Sequence, residues 1–178
     1  MSGLRATMIV LLVSWVAGGC VSASRGAVAA PRVDVLGTSA QASQYGTDAK
    51  QIFDSPALRA KVRALFGKDW SSANPIGLPA PVPAFFEKSS PPTMLRIDNA
   101  DWIGVRGCMP TACTTRHGLV LIGPGGDRLV ARVDDGGFTQ EYGYGPRMVN
   151  VGAQDRALVD AAWRALALGT PHLTRRGA

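Results

Sequence analysis

A short loop with a cysteine at each end is the stretch of this sequence best suited to a defined chemical role. Its residues are Cys108, Met109, Pro110, Thr111, Ala112 and Cys113. The short separation lets the two cysteines pair, so the sequence predicts a disulfide that closes the loop. Strand-like residues lie on either side of the loop, at 101–106 and 118–122. We therefore predict that two neighbouring strands carry the loop at their shared end.

Redox and metal chemistry fit this loop poorly. A thioredoxin-like motif has about two residues between its cysteines at a helix N-terminus, whereas strands flank this longer loop. A structural zinc site needs about four ligands, and His117 and His172 lack the usual spacing to a second cysteine pair. We expect neither a metal ion nor a cofactor.

Two interpretations of the loop remain open. The first is a structural crosslink, because closing so short a loop contributes about 2 kcal/mol on the chain-entropy model. The second is a recognition loop, in which the disulfide and Pro110 remove conformational freedom before binding, so that less entropy is lost on docking. A narrow and stiff loop suits insertion into a concave site such as an enzyme cleft.

The elements around the loop predict an α+β fold. A first helix is predicted to begin at Ser55 and to end at Gly67, because the apolar residues between them recur at helical spacing. A second helix is predicted over about residues 154–168. Between them, glycine-rich turns separate short strands, predicted at 93–98, 102–105, 119–122, 128–134 and 138–142. The expected domain is an antiparallel sheet of about five strands with helices packed on one face.

A proline-rich segment, residues 68–92, separates the first helix from these strands. Regular structure is not expected in it, because proline removes backbone hydrogen-bond donors. Its aromatic residues Trp70, Phe85 and Phe86 are expected to pin the segment to the core.

The first residues of the chain, 1–19, have the features of an export signal. One arginine supplies a short positive region, and the apolar run 8–17 is too short to span a bilayer. The small residues directly before Cys20 resemble a bacterial lipobox, in which that cysteine carries a lipid anchor. Cleavage by an ordinary signal peptidase after Ala23 or Ala29 is the alternative.

These features divide the chain into a signal peptide at 1–19, a flexible tether at 20–50 and a folded domain at 51–178. Lipidation of Cys20, or its removal with the leader, accounts for the odd cysteine among the three in the chain. We expect a periplasmic protein anchored to the outer membrane. Disulfides persist in that oxidising compartment.

The basic charge of the chain, +6 overall, does not indicate a nucleic-acid partner. Lysine and arginine residues are scattered singly, and the densest group is Arg59, Lys61 and Arg63 on the first predicted helix. A nucleic-acid site needs a coherent basic stripe, so these residues are expected to form a solvated helix face.

A catalytic role finds little support in the sequence. Glycosidases use a pair of carboxylates, and the acidic residues considered for such a pair are Glu87, Asp98, Asp101 and Glu141. They are scattered, and no Ser-His-Asp or Cys-His set is recognisable. We do not expect this protein to be an enzyme.

The loop and its surroundings resemble a known family. A strand, the motif Gly-Cys-x-Pro-x-x-Cys at 107–113, an apolar strand and a glycine turn, all inside an exported α+β domain, are similar to the inhibitor of vertebrate lysozyme (Ivy) family of Gram-negative bacteria. The resemblance implies a protein that occludes the active site of a muramidase with this loop. Its partner would then be a lysozyme or a lytic transglycosylase, and homodimers occur in the family.

The chain departs from the family at two loop positions. Where the family has a basic residue and a histidine, this sequence has Met109 and Thr111. The resemblance is therefore to a divergent member that lacks the loop histidine. The alternative function is an envelope lipoprotein that binds a self-made lytic enzyme, peptidoglycan or another envelope protein on the same scaffold, without inhibiting animal lysozymes.

Overall fold

A twisted antiparallel sheet dominates the computed structural model, which describes residues 28–73, 77–146 and 151–168. Within these ranges the sheet has seven strands: β1 Val33–Gly37, β2 Lys88–Ser89, β3 Thr93–Ile97, β4 Ala100–Cys108, β5 His117–Ile122, β6 Leu129–Asp134 and β7 Thr139–Tyr144. The strand order is β1-β3-β4-β5-β6-β7, and β2 pairs with the end of β4. The predicted α+β class and antiparallel sheet are confirmed, with two strands more than the five predicted.

The described helices are α1 Ala49–Asp54, α2 Arg59–Phe66 and α3 Ala153–Ala165. Gly67 ends α2 with a positive φ of 54°, a conformation that glycine adopts at little cost, which confirms the predicted C-cap. The prediction that this helix begins at Ser55 was wrong, because α2 begins at Arg59 with Leu58 as its N-cap. The Ser55 carbonyl oxygen accepts the N–H groups of Leu58 and Arg59 in the turn before the helix, and the buried Ser55 hydroxyl has no described partner. Helix α1 was not predicted.

The segment between α2 and β3 follows the prediction in part. Short 3-10 turns cover Gly67–Trp70 and Val82–Phe86, and β2 follows the second of them. Phe85 and Phe86 are buried, and Trp70 packs against the same core, as the sequence predicted. These aromatic anchors offset the scarcity of backbone hydrogen bonds in a proline-rich segment.

Helices cover both faces of the sheet, so the prediction that they pack on one face was wrong. Val120 and Ile122 of β5 lie in a core shared with α1 and α2. Leu119 and Leu121 point the other way, into a core shared with α3 and its buried Trp163. A strand that is apolar on both sides must be covered twice, because exposing either face costs about 25 cal/mol for each Å² of apolar surface.

The folded region begins earlier than the predicted boundary at residue 51. Strand β1 lies inside the predicted tether and pairs with β3, with Val33 opposite Ile97. The tether prediction is therefore wrong from residue 33 onwards, because a paired edge strand is fixed by its ladder of backbone bonds. The predicted signal peptide and Cys20 lie outside the described residues. No helix in the described ranges combines the length and apolar character needed to cross a membrane.

Close packing over β5 gives a first prediction. The ring of Phe86 covers Gly118, and a Cβ atom there would lie 2.3 Å from the ring atom Cζ. Replacing Gly118 with alanine forces the ring to move, so we expect the free energy of unfolding to fall by about 1–3 kcal/mol in urea titrations. Gly137→Ala is the control, because its Cβ would meet only the Asp135 carboxylate at 4.0 Å. Equal stability losses in the two variants would contradict the packing argument.

Candidate functional site

The cysteine loop is the tip of the β4–β5 hairpin. The two strands pair from Ile103 opposite Ile122 to Cys108 opposite His117. Beyond that pair, the backbone N–H of Met109 donates to the carbonyl oxygen of Arg116 at 3.1 Å. The tip, residues 109–116, therefore extends directly from a long, regular pair of central strands.

Covalent and hydrogen bonds hold the tip in one shape. Cys108 and Cys113 form a disulfide with their Cα atoms 5.0 Å apart, as predicted. Within the tip, the N–H of Ala112 donates to the Met109 carbonyl at 2.9 Å, and the N–H of Arg116 donates to the Ala112 carbonyl at 2.8 Å. These bonds satisfy backbone groups that a flexible loop would leave to water.

The six predicted loop residues differ in what they offer a partner. Pro110 and Thr111 are exposed, while both cysteines and Ala112 are half-buried. Met109 packs against the core beneath α1 and α2, and the Arg116 guanidinium donates to its sulfur at 3.5 Å. The side chain of Met109 therefore makes mainly internal contacts, and the exposed side chains among the six loop residues are Pro110 and Thr111.

The turn between β6 and β7 lies beside the tip. A Cβ atom on Gly136 would lie 3.0 Å from the Cβ of Thr115, so the two loops are in contact. The Asp135 carboxylate shapes the turn by accepting the backbone N–H groups of Gly137 at 3.0 Å and Phe138 at 2.6 Å. Phe138 at the end of the turn is 39% exposed, which is unusual for a large apolar side chain.

The tip and the turn thus form one continuous surface at this end of the sheet. We call it the hairpin-end surface, and its exposed members are Pro110, Thr111, Thr114, Thr115 and Phe138. Phe138 was predicted only as part of a strand. Its position directly after the Asp135-Gly136-Gly137 turn is the sequence signal that could have located it at the surface.

A buried charged group, the Arg132 cluster, supports this end of the sheet from the α3 side. The Arg132 guanidinium lies 4.7 Å from the centre of the Trp163 ring and forms ion pairs with Asp134, at 3.5 Å, and with Asp160 on α3. Asp134 also accepts the backbone N–H of Gly136 at 2.8 Å, which joins the cluster to the β6–β7 turn. Glu141 on β7 is the fifth member of the Arg132 cluster. Its burial and the nearby Asp160 carboxylate raise the pKa of Glu141.

The acidic residues considered for catalysis are not brought together as one site. Asp98 and Asp101 flank the β3–β4 turn, where they bond to Arg32 and Arg96 respectively. Glu141 belongs to the Arg132 cluster on β7, which β5 and β6 separate from β4. Glu87 lies next to β2. No group of three His, Cys, Asp or Glu side chains suited to a metal ion occurs in the described part of the chain.

His117, considered above for a zinc site, lies just outside the loop. It begins β5 opposite Cys108, and its ring meets Trp163 edge-on at 6.4 Å on the α3 side. The histidine is half-buried against the domain, so it does not take the place of a histidine at the exposed tip.

Comparisons with known proteins leave the family open: no family model, curated protein or solved structure matches this chain. The likeness to lysozyme inhibitors stays a prediction from the loop motif and its setting.

Proposed function

We propose that this protein is an exported, lysozyme-inhibitor-like protein that blocks a muramidase by placing the tip of the β4–β5 hairpin in its active-site cleft. One observation carries the proposal: a disulfide closes the loop and leaves Pro110 and Thr111 exposed at the end of the hairpin. The partner is a lysozyme or a lytic transglycosylase of the cell envelope. The protein acts in the periplasm, held there by a lipid on Cys20, and contributes no catalytic group of its own.

Rigidity of the tip is the physical basis of the proposed affinity. Ordering the backbone of one residue costs about 1–2 kcal/mol of conformational entropy. In this loop the disulfide and the hydrogen bonds among Met109, Ala112 and Arg116 already order the backbone when the protein folds. Binding then orders little additional backbone. The exposed Phe138 ring adds an apolar contact beside the tip, and phenylalanine is one of the residue types enriched at protein interfaces.

The exposed loop residues Pro110 and Thr111 are neutral. Thr111 carries a hydroxyl that donates one hydrogen bond, and muramidase clefts contain acceptors in the form of catalytic carboxylates. A hydroxyl-to-carboxylate bond is charge-assisted on one side only. The proposed mode is therefore steric occlusion by the Pro110 ring and the tip backbone, with Thr111 supplying orientation.

A panel assay tests the proposal. The oxidised protein is titrated into lysis reactions of a c-type lysozyme, a g-type lysozyme and a lytic transglycosylase, with a heat-unfolded sample as the blank. Saturable inhibition of at least one enzyme is expected and names the target class. Full activity of all three enzymes at the highest inhibitor concentration would remove the proposal.

The second candidate is an envelope-binding lipoprotein on the same scaffold that does not inhibit c-type lysozymes. It is favoured by the inward packing of Met109 and by the neutral Thr111 at the tip, where the resembling family has charged or ionisable groups. Under this candidate, the hairpin-end surface binds a partner that offers no buried carboxylate pair.

Exchange of one tip residue separates the two candidates. Thr111→His is expected to strengthen inhibition of a c-type lysozyme about tenfold, because a protonated imidazole adds a charge pairing with the carboxylate that a neutral hydroxyl donor lacks, a gain of about 1–1.5 kcal/mol. The measurement is the inhibition constant at about pH 6, where part of the histidine is protonated. Thr114→His, at another exposed tip position, is the matched control.

Three outcomes of the exchange are informative. Inhibition by both the natural and the exchanged protein supports the first candidate. Inhibition that appears only with Thr111→His supports the second, because the natural tip is then built for another target. An equal gain from Thr114→His would show that added positive charge, rather than position 111, is responsible.

A further inference from the structure

A cleft of about 700 Å³ lies beside the base of the hairpin. It opens between α1, the 3-10 turns and β2, and its residues are Asp48, Lys50, Phe53, Asp54, Trp70, Pro83, Phe86, Glu87, Lys88 and Ser89. Lys88 is the strand partner of Cys108, so the cleft adjoins the disulfide without including the tip. Its volume falls within the range of about 300–1,000 Å³ that is typical of small-molecule sites.

The inner wall of the cleft is aromatic and preformed. The Phe53 ring packs edge-on against Phe86, with centroids 5.0 Å apart, and against Trp70 at 5.9 Å. Phe53 and Phe86 are buried, whereas Trp70 is half-exposed. Ser89 ties the wall together by accepting the first backbone N–H of α1, that of Ala49, at 3.1 Å. A ligand therefore meets the exposed part of the Trp70 ring, which the buried Phe53 and Phe86 rings support from below.

The rim of the cleft carries charges of both signs. Lys50, Asp54, Glu87 and Lys88 are exposed, and none of them forms an ion pair with another described residue. Asp48 is already engaged, because it caps α1 by accepting the backbone N–H of Gln51 at 2.8 Å. Asp48 keeps its charge when it accepts this bond, so the charged side chains that line the cleft sum to −1, and the cleft does not favour an anion such as a phosphate.

From this arrangement we propose that the cleft binds a neutral oligosaccharide. A sugar ring has a face of C–H groups that packs on aromatic rings and a rim of hydroxyls that both donate and accept hydrogen bonds. The Trp70 ring can pack against the C–H face of a sugar. The carboxylates and ammonium groups of the rim can accept hydrogen bonds from its hydroxyls and donate to them. Hydrogen bonds to charged partners are stronger than neutral ones, so uncharged hydroxyls gain from this rim without needing a charge of their own.

This site is independent of the proposed hairpin function, since it lies to one side of the exposed tip. The oxidised full chain is titrated with triacetylchitotriose and, separately, with cellotriose, and the heat of binding is measured. Saturable binding of at least one sugar is expected. Trp70→Ala and Glu87→Ala are each expected to weaken it at least tenfold, and Asp127→Ala, an exposed acid at the opposite end of β5, is the matched control.

If Trp70→Ala disturbs folding, Glu87→Ala still tests the site. Glu87 is exposed and makes no described side-chain bond, so its replacement should leave the fold unchanged. Absence of saturable heat with either sugar overturns the proposal. Binding that survives both cleft substitutions, or that falls equally in Asp127→Ala, also overturns it. Muramidase inhibition has no part in these readouts, so failure here leaves the hairpin proposal standing and the reverse also holds.

Discussion

Replacement of Arg132 by alanine is expected to lower the free energy of unfolding by about 3–5 kcal/mol, the typical cost of breaking a buried ion pair from one side. The Arg132 side chain is only 4% exposed, and its partner Asp134 is 6% exposed. Without the guanidinium, the Asp134 carboxylate keeps only its bonds to Gly136 and Thr139. The stacking on Trp163 is lost as well. Urea unfolding at neutral pH measures the change.

The matched control for Arg132→Ala is Arg96→Ala, which removes an exposed ion pair with Asp101 on the same sheet. Solvent screens that pair, so little change in the urea midpoint is expected. Equal shifts in the two variants would contradict the assignment of Arg132 as the electrostatic centre of this end of the sheet. A large loss confined to Arg132→Ala supports it.

Opening the disulfide is the second prediction with a large expected effect. The double variant Cys108→Ser, Cys113→Ser is expected to inhibit the target muramidase less well, by up to roughly thirtyfold. The upper bound corresponds to about 2 kcal/mol of loop entropy lost on binding, and the tip hydrogen bonds that remain reduce this loss. The inhibition constant against the most sensitive enzyme of the panel is the measurement.

The double variant must be shown to be folded, because the same entropy also stabilises the domain. The bonds from Met109 to Arg116 and the β4–β5 ladder remain, so a cooperative urea transition with a lower midpoint is expected. Replacing the cysteines is preferable to adding a reductant, which also attacks disulfides of the target enzyme. Unchanged inhibition by the folded double variant would assign the disulfide to stability alone, which is the structural-crosslink interpretation of the loop.

Local sequence patterns were sufficient for the central part of the fold. Alternation and glycine turns located β3 to β7, and apolar spacing located α2 with its cap at Gly67. These features depend on residues close together in the chain. The cysteine pair located the hairpin tip for the same reason, since its spacing permits closure of a local loop.

Features that depend on distant contacts were not predictable in the same way. Strand β1 is short, and its partner β3 lies about sixty residues away, so nothing local distinguishes it from a tether. Helix α1 has only six residues, too few to show a period. The prediction of helices on one face did not take account of the unbroken apolar run of β5, which is typical of a strand buried on both faces.

The candidate sites show the same limit. The sequence identified the loop but not the inward packing of Met109, which depends on the core below it. The exposure of Phe138 beside the tip depends on the pairing of β5 with β6. The cleft could not be predicted from the sequence, because only the tertiary fold brings together its walls, which come from α1, the turn at Trp70 and β2.

The most direct test of the proposed occlusion is the mode of inhibition. The initial rate of the sensitive muramidase is measured over a range of soluble substrate concentrations, with and without the oxidised protein. A tip that occupies the active-site cleft competes with substrate, so the account predicts a raised apparent KM and an unchanged kcat. A lowered kcat at constant KM would place the contact away from the cleft, and that result would contradict the claim that the β4–β5 hairpin tip closes the active site.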